Sequence, residues 1–319
     1  MLTSQRPIYT LIPLVLDLDG TLIHTDTFHE MMVSLLTRKP LILLRLPFWF
    51  LKGRAYAKAQ LVEHAEVNLA TLPYNKQLLA FAQKEGRPLI LATGTDQRLA
   101  QKISDHLGIF QDVIGSNGKI NMTGHQKGKA LCERFGRQGF DYAGDSSVDT
   151  SVWQVSRKAL VVCPKWRVLQ KARALKNAEH IHYIPRDYSR LFSFLLALRP
   201  FFWLFNLLAS SASLGIGLSF LSSGLLILND LLLMEKERTG LCKRKSVFAR
   251  GKLHLQTAFM MSPLLILSSL FFMWSILGNG LYIVVYISLL LGLDRMTRVV
   301  SPPLRWAVLG LFQTLAAII

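Results

Sequence analysis

The residues best suited to chemistry stand in four short clusters. An apolar run ends in Asp17-Leu18-Asp19-Gly20-Thr21, two carboxylates one residue apart followed by a glycine and a hydroxyl. A second run closes on Thr93-Gly94-Thr95, and another on Gly144-Asp145-Ser146-Ser147-Val148-Asp149. Between these two lies "HQKGKAL", which offers Lys127 and Lys129. Carboxylates, hydroxyls and an ammonium are the groups used for proton transfer, cation binding and anion binding. Any one cluster alone reads as a turn, a helix cap or a solvated charge. All four in this order, three of them closing apolar runs, point to a site.

Such clusters need a frame that brings their ends together. Short apolar runs bounded by turn residues place strands at 13–17, 88–93, 112–115, 140–143 and 159–163. Helical spacing fills 99–107 and 129–135 between them. Strands alternating with helices build a parallel sheet covered on both faces. Ligands in such sheets sit at the carboxyl ends of the strands, where Asp17, Asp19, Thr93, Asp145 and Asp149 fall.

"DLDGT", Thr93, Lys127 and "GDSSVD" resemble the four motifs of the haloacid dehalogenase superfamily in its phosphatase branch, over residues 11–165. The resemblance implies an α/β fold: a Rossmann-like parallel sheet with a helical cap inserted after the first strand. It implies Mg²⁺-dependent hydrolysis of a phosphomonoester, small or lipid-linked. Asp17 would be the nucleophile that becomes an aspartyl phosphate. Asp19 would protonate the leaving oxygen and then activate water. Mg²⁺ would be held by Asp17, the Asp19 carbonyl and Asp145, with Asp149 supporting the metal or the lysine. Thr93 and Lys127 would bind the phosphoryl oxygens, with Gly20, Thr21 and Gly94 beside them. Lys129 is the alternative to Lys127. The second carboxylate, Asp19, favours phosphate over halide as the group displaced.

Between Thr21 and Thr93 lies a long insert that reads as helices, a cap over about residues 24–86. Its centre, "LILLRLPFWFL", is apolar and too short to span a bilayer, which takes about 20 residues. Two readings stand: the cap's own core, or an interfacial face touching membrane or lipid substrate, with Lys52, Arg54 and Lys58 at headgroup level. His24 and His29 lie near the first cluster, but neither is taken as a ligand.

Composition divides the chain. Of its 319 residues 51% are apolar, and the excess lies after residue 200. Residues 201–229 and 306–319 carry no charge, and 253–293 only His254. Domains are therefore expected at 1–190 and 191–319, the second an all-α transmembrane unit. The net charge of +17 would suit nucleic acid in a soluble protein. Here the basic residues sit in loops beside apolar spans, such as "EKERTGLCKRKSVFARGK", so nucleic acid is set aside and membrane lipid is the expected partner. Three cysteines without a CxxC pair suit a reducing compartment, and the N-terminus lacks signal-peptide features. Keeping the basic loops and the first unit cytoplasmic implies a hairpin within 201–229, turning near 213–217, and a second hairpin breaking at 278–280. The expected location is integral to an inner or cytoplasmic membrane.

"LRPFFWLFN" and "LLILNDLLLMEKERTGLCKRKSVFARG" resemble the start of a UbiA-type intramembrane prenyltransferase. That resemblance implies a prenyl-diphosphate site at Asn229, Asp230 and Glu237, yet Leu233 and Ser246-Val247 stand where the family carries Asp and Arg-Pro. A later aspartate-rich motif is reduced to Asp294. A diphosphate inside a membrane needs several carboxylates and metals, so the second unit is expected to be a reduced relative kept as anchor or lipid platform. Residual prenyl or phosphoribosyl transfer and a non-catalytic scaffold are the alternatives. A homo-oligomer or a partner membrane subunit would supply the missing helices.

Overall fold

A computed structural model describes residues 11–162, 166–175, 182–184, 189–200, 212–241 and 245–273, together with 203–204, 206–207, 287, 290–292 and 294. The proposed break at 278–280, the apolar stretch 306–319, Cys163 and Cys242 lie outside them. The chain divides into two units, Met1–Asp187 and Tyr188–Ile319.

In the first unit six parallel strands form one sheet in the order β3-β2-β1-β4-β5-β6. They are β1 (Leu14–Leu16), β2 (Leu89–Asp96), β3 (Asp112–Ser116), β4 (Asp141–Gly144), β5 (Ala159–Val162) and β6 (His182–Ile184). Val15 sits opposite Ile90 on one side and Tyr142 on the other, so β1 is central. Its three residues are fully buried, as befits a strand covered on both faces. The five strands expected from the sequence are present. β6 is an addition at the sheet edge, and β2 runs on to Asp96, past the expected end at Thr93.

Helices α1 (Thr27–Arg38), α2 (Leu46–Leu51) and α3 (Arg54–His64) form the insert, with a 3₁₀ segment at Pro40–Arg45. The chain returns to the sheet at Asn75, whose amide donates to the Leu22 carbonyl. Helix α4 (Lys76–Lys84) is therefore the crossover into β2 rather than part of the cap, and buries Leu78 and Ala82. Next come α5 (Gln97–Leu107), α6 (Gly124–Phe135), α7 (Thr150–Trp153) and α8 (Trp166–Arg173). Strand alternation sorts the core into two. Leu14, Leu16, Leu89 and Leu91 join Met31, Leu35, Ala57 and Leu61 of the insert and Leu99 and Ile103 of α5. Val15, Ile90, Tyr142 and Val161 join Leu131, Trp153 and Val168 on the other face. The insert thus shares one apolar cluster with the sheet.

At the amino end of β4, Asp141 is fully buried between two guanidiniums. Arg157 donates to it at 2.9 and 2.7 Å, and Arg87 at 2.5 Å. Burial would raise this carboxyl, but the bonds from Arg157 and Arg87 outweigh it and hold the group below the usual carboxylate range.

Among its described residues the second unit has two helices long and apolar enough to cross a membrane, Leu214–Arg238 and Leu255–Phe272. They pack together where Gly224 lets Ser262 and Ile266 close in; a Cβ there would lie 2.9 Å from the Ser262 carbonyl. The helix Ala212–Arg238 is continuous, so the turn expected near 213–217 is not there. Its serines bond back to carbonyls of the preceding turn, as Ser219 does to Gly215 at 2.7 Å, and no backbone break is needed. Leu198, Trp203 and Asn206 bond to its serines. Ser223 Oγ donates to the Leu198 carbonyl, Trp203 Nε1 to Ser223 Oγ, and Asn206 Nδ2 to Ser219 Oγ.

Replacing Asp141 by alanine should lower first-unit stability by about 2–3 kcal/mol, because three bonds to a charged acceptor are lost and Arg87 keeps only Glu85 and the Ile12 carbonyl. A thermal melt of the Asp141→Ala protein checks this. An unchanged midpoint would mean that the clamp adds nothing to stability.

Candidate active site

Asp17 stands one residue beyond β1, its N–H donating to the Ala143 carbonyl of β4 at 3.0 Å. Its Oδ1 accepts from the Leu18 N–H at 2.8 Å and lies 2.8 Å from Lys127 Nζ. Leu18 is buried in the core, so the alternation of an extended chain turns Asp17 away from it. Lys127 lies on the buried face of α6. Lys129, two residues on, is exposed and paired with Glu133. Positions two apart on a helix face different ways, which brings Lys127, not Lys129, to the carboxylate.

Lys127 Nζ also donates to the Tyr142 hydroxyl at 2.8 Å, and that hydroxyl donates to Asp149 Oδ1 at 2.8 Å. Asp149 Oδ2 accepts from Ser146 N and Oγ at 3.0 and 2.8 Å. Both Asp149 oxygens are thereby engaged, while Nζ itself is 4.0 Å from Oδ1. Tyr142 was not singled out from the sequence. The available signal was its place in a buried strand, where a tyrosine hydroxyl usually finds a partner.

Asp17, Asp145 and Asp149 each offer an oxygen within 4.8 Å of the others. Gly20 makes room for this cluster. Its φ of +76° is left-handed, and a Cβ there would lie 2.5 Å from Asp145 Oδ2. An all-oxygen acidic cluster of this kind fits a hard divalent cation such as Mg²⁺.

Asp19 turns elsewhere. Its Oδ1 accepts from the Thr27 N–H at 2.7 Å, and its Oδ2 from Thr95 Oγ1 at 3.0 Å and Thr27 Oγ1 at 3.3 Å. The Asp19 carboxylate is thus tied to the start of α1 and the end of β2. Thr93 is fully buried, and its Oγ1 accepts from the Thr95 N–H at 3.0 Å. Thr21 Oγ1 is buried without a hydrogen-bond partner among the described residues. The Gly94 carbonyl accepts from Lys58 Nζ at 2.6 Å and from Ser116 Oγ at 2.9 Å. Lys58 therefore reaches from α3 to the catalytic edge rather than sitting with Lys52 and Arg54 at an outer rim. Thr27 escaped the sequence reading, and Thr95 and Lys58 stood in it without these contacts, because each comes from a segment whose approach only the fold defines. His29 pairs with Asp26 at 3.4 Å and lies outside the cluster.

Burial dominates the electrostatics. It pushes Asp17 up to about 6, against the pull of Lys127 and with a push from Asp149. It pushes Asp19 up to about 7, with Asp26 adding to the rise and the Thr27 N–H opposing it. Burial would lower the Lys127 ammonium, but Asp17 and Asp149 outweigh it and raise the group.

In the second unit, Arg199 takes a left-handed φ of 52° and is buried between two carboxylates. Its Nη2 lies 2.6 Å from Asp230 Oδ1 and its Nη1 2.9 Å from Asp294 Oδ1. Asn229 Nδ2 donates to Asp294 Oδ2 at 2.8 Å. Asn229 and Asp230 therefore meet Asp294, but around an internal cation. Glu237, two turns further along, accepts from the Ser246 N–H at 2.8 Å. Arg199 was not expected here.

Residues 14–152, all within the first unit, match the family described as haloacid dehalogenase-like hydrolase. Over 270 residues the chain is 33% identical to an uncharacterized protein of Sinorhizobium fredii, y4nM, covering 78% of this chain and 52% of that one. The chain thus spans about half the length of this curated relative. Among solved structures, a phospho-aspartyl intermediate analogue of phosphoserine phosphatase aligns at 16% identity over 58% of this chain and 96% of its own, with a TM-score of 0.38. A Haemophilus somnus protein described as a predicted phosphoglycolate phosphatase aligns at 19% over 48% and 85%, with a TM-score of 0.33.

The raised carboxyls set a pH dependence. Asp17 and Asp19 bind protons more tightly folded than unfolded, so their contribution is complete below about pH 4 and is lost as pH rises through 6 to 7. Every tenfold gain in proton affinity on folding corresponds to about 1.4 kcal/mol. Metal-free protein should therefore melt with a downward trend from pH 5 to pH 8 that Asp17→Asn/Asp19→Asn flattens. Added Mg²⁺ should raise the wild-type midpoint more at pH 8 than at pH 5, since ligands must be ionised to bind. Parallel trends in both proteins would refute the assignment.

Proposed function

We propose that this chain is a Mg²⁺-dependent phosphomonoesterase at the cytoplasmic face of a membrane, working through an aspartyl phosphate on Asp17. One observation carries the reading: the 2.8 Å pair of Asp17 with buried Lys127, set beside the carboxylates of Asp145 and Asp149. The Leu18 N–H and Lys127 occupy Oδ1 of Asp17, which leaves Oδ2 to attack. In the first step Oδ2 bonds to phosphorus, the ester P–O bond breaks, and Asp19 gives its proton to the departing oxygen. In the second, Asp19 takes a proton from water, the water oxygen bonds to phosphorus, and the acyl phosphate P–O bond breaks to release phosphate and free Asp17. A group poised at about 7 suits both halves of this exchange. Mg²⁺, held by Asp17, Asp145 and the Asp19 carbonyl, would offset the charge between carboxylate and phosphate. Asp149 positions Lys127 through Tyr142, and Lys127, with Thr93 and the amides about Gly20, Thr21 and Gly94, binds the phosphoryl group.

The second unit is read as the membrane anchor, a reduced relative of UbiA-type prenyltransferases. Arg199 occupies the carboxylates that a metal and a diphosphate would need, which supports an anchor or lipid platform over prenyl transfer. The basic residues that follow Arg238 in the sequence support a cytoplasmic end for that helix. The anchor and the apolar insert favour a lipid-linked phosphate as substrate. A non-catalytic scaffold would not need this complete set of acids with its lysine.

Detergent-purified protein should release phosphate only with Mg²⁺ present. Asp17→Asn should reduce the rate by about 10³-fold or more, as loss of a covalent nucleophile does. Polyprenyl-linked phosphates should be preferred over soluble phosphometabolites. Equal release by wild type and variant would reject the aspartyl-phosphate reading, and preference for a soluble ester would reject the lipid-linked substrate alone.

A further inference from the structure

Helix α2 and the 3₁₀ turn before it present an apolar face to solvent. Leu41, Leu44, Phe48 and Leu51 are 78%, 71%, 68% and 85% exposed. Their spacing of three, four and three residues is that of one helical stripe. Trp49 faces the other way, buried and stacked on His64 at 5.6 Å. It fixes the segment to the cap, so the exposed side chains stand on an anchored element and are not loose ends. Soluble proteins rarely leave so many large apolar side chains together in water.

The charges within this segment are of one sign, although Arg38 at its start pairs with Glu66. Arg38, Lys39, Arg45, Lys52 and Arg54 fall within residues 38–54, and no acid does. All five are exposed. Leu and Phe flanked by Lys and Arg form the pattern of an element lying in the plane of a bilayer, with the apolar side chains among acyl chains and the cations among anionic headgroups. The segment is too short to cross the membrane, and the same chain carries two helices of membrane length.

We propose that residues 40–52 of the cap dock in the interface of an anionic phospholipid bilayer. The four exposed side chains enter the acyl boundary, and Lys39, Arg45, Lys52 and Arg54 contact the lipid phosphates. A protein partner would be expected to offer acids of its own, and a second copy of this chain would set like charges against each other. Docking concerns the outer face of the cap, so it stands whether or not the site turns over phosphate.

The full chain in nanodiscs, with a phospholipid carrying a diazirine on its acyl chain, provides the test. After irradiation, labelled peptides are mapped by mass spectrometry in phosphatidylglycerol-containing discs and in pure phosphatidylcholine. Label is expected in residues 40–52, at least about fivefold higher in the anionic discs, and lost in Leu44→Ser/Phe48→Ser/Leu51→Ser. These three positions are exposed and outside the site, so the variant should fold and keep wild-type turnover of any soluble phosphomonoester. Label confined to Leu214–Arg238 and Leu255–Phe272, equal label in both lipids, or crosslinks from 40–52 to a second protein would each overturn the proposal. If the wild type labels as expected yet hydrolyses nothing, the phosphatase reading fails while this one stands.

Discussion

Everything in the first unit answers to one constraint: several acids must be kept together out of water. Asp17 and Asp149 are buried, and Asp145 lies against Gly20 beside them. Like charges this close repel, and burial penalises each further. The chain answers with a single lysine, placed 2.8 Å from Asp17 and linked to Asp149 through a phenol. Parallel strands make this geometry possible, because β1 and β4 deliver the acids from the same edge while α6 delivers the cation from one face. The residual imbalance remains visible in the raised Asp17 and Asp19.

The second unit meets the same difficulty by other means. Asp230 and Asp294 would be costly in an apolar bundle, and Arg199 sits between them with one guanidinium nitrogen for each. In the first unit Asp17, Asp145 and Asp149 converge beside Lys127, an arrangement that fits a divalent cation. In the second, the guanidinium is already in place and bonded to both carboxylates.

Much of this was legible in residue order. β1 to β5 announce themselves as apolar runs ending in turn residues, and the four clusters fall at or beside the strand ends because buried strands must surface there. β6 gave no such signal: "HYI" is only three residues at an edge. Lys127 and Lys129 looked alike in "QKGK" until helical geometry put one inward and one outward. Tyr142, Thr95 and Lys58 could not be found by spacing, since their partners lie 7, 76 and 36 residues away and meet only through the sheet. Keeping the basic loops cytoplasmic implies a turn near 213–217, yet the helix Ala212–Arg238 runs through it. Contacts with Ser262 and Ile266, and serine bonds to its own carbonyls, hold it straight.

The shared core of insert and sheet bears on how such a domain can change. Where a cap is a separate body, recombination can exchange it and leave the catalytic edge untouched. Here Met31, Leu35, Ala57 and Leu61 fill the same cluster as Leu14 and Leu91. A transplanted insert would have to match the shape of the sheet face beneath it. New substrate preferences are therefore more accessible by single replacements on the insert's outer and rim positions than by wholesale exchange, and drift within its inner face is held in check by folding itself.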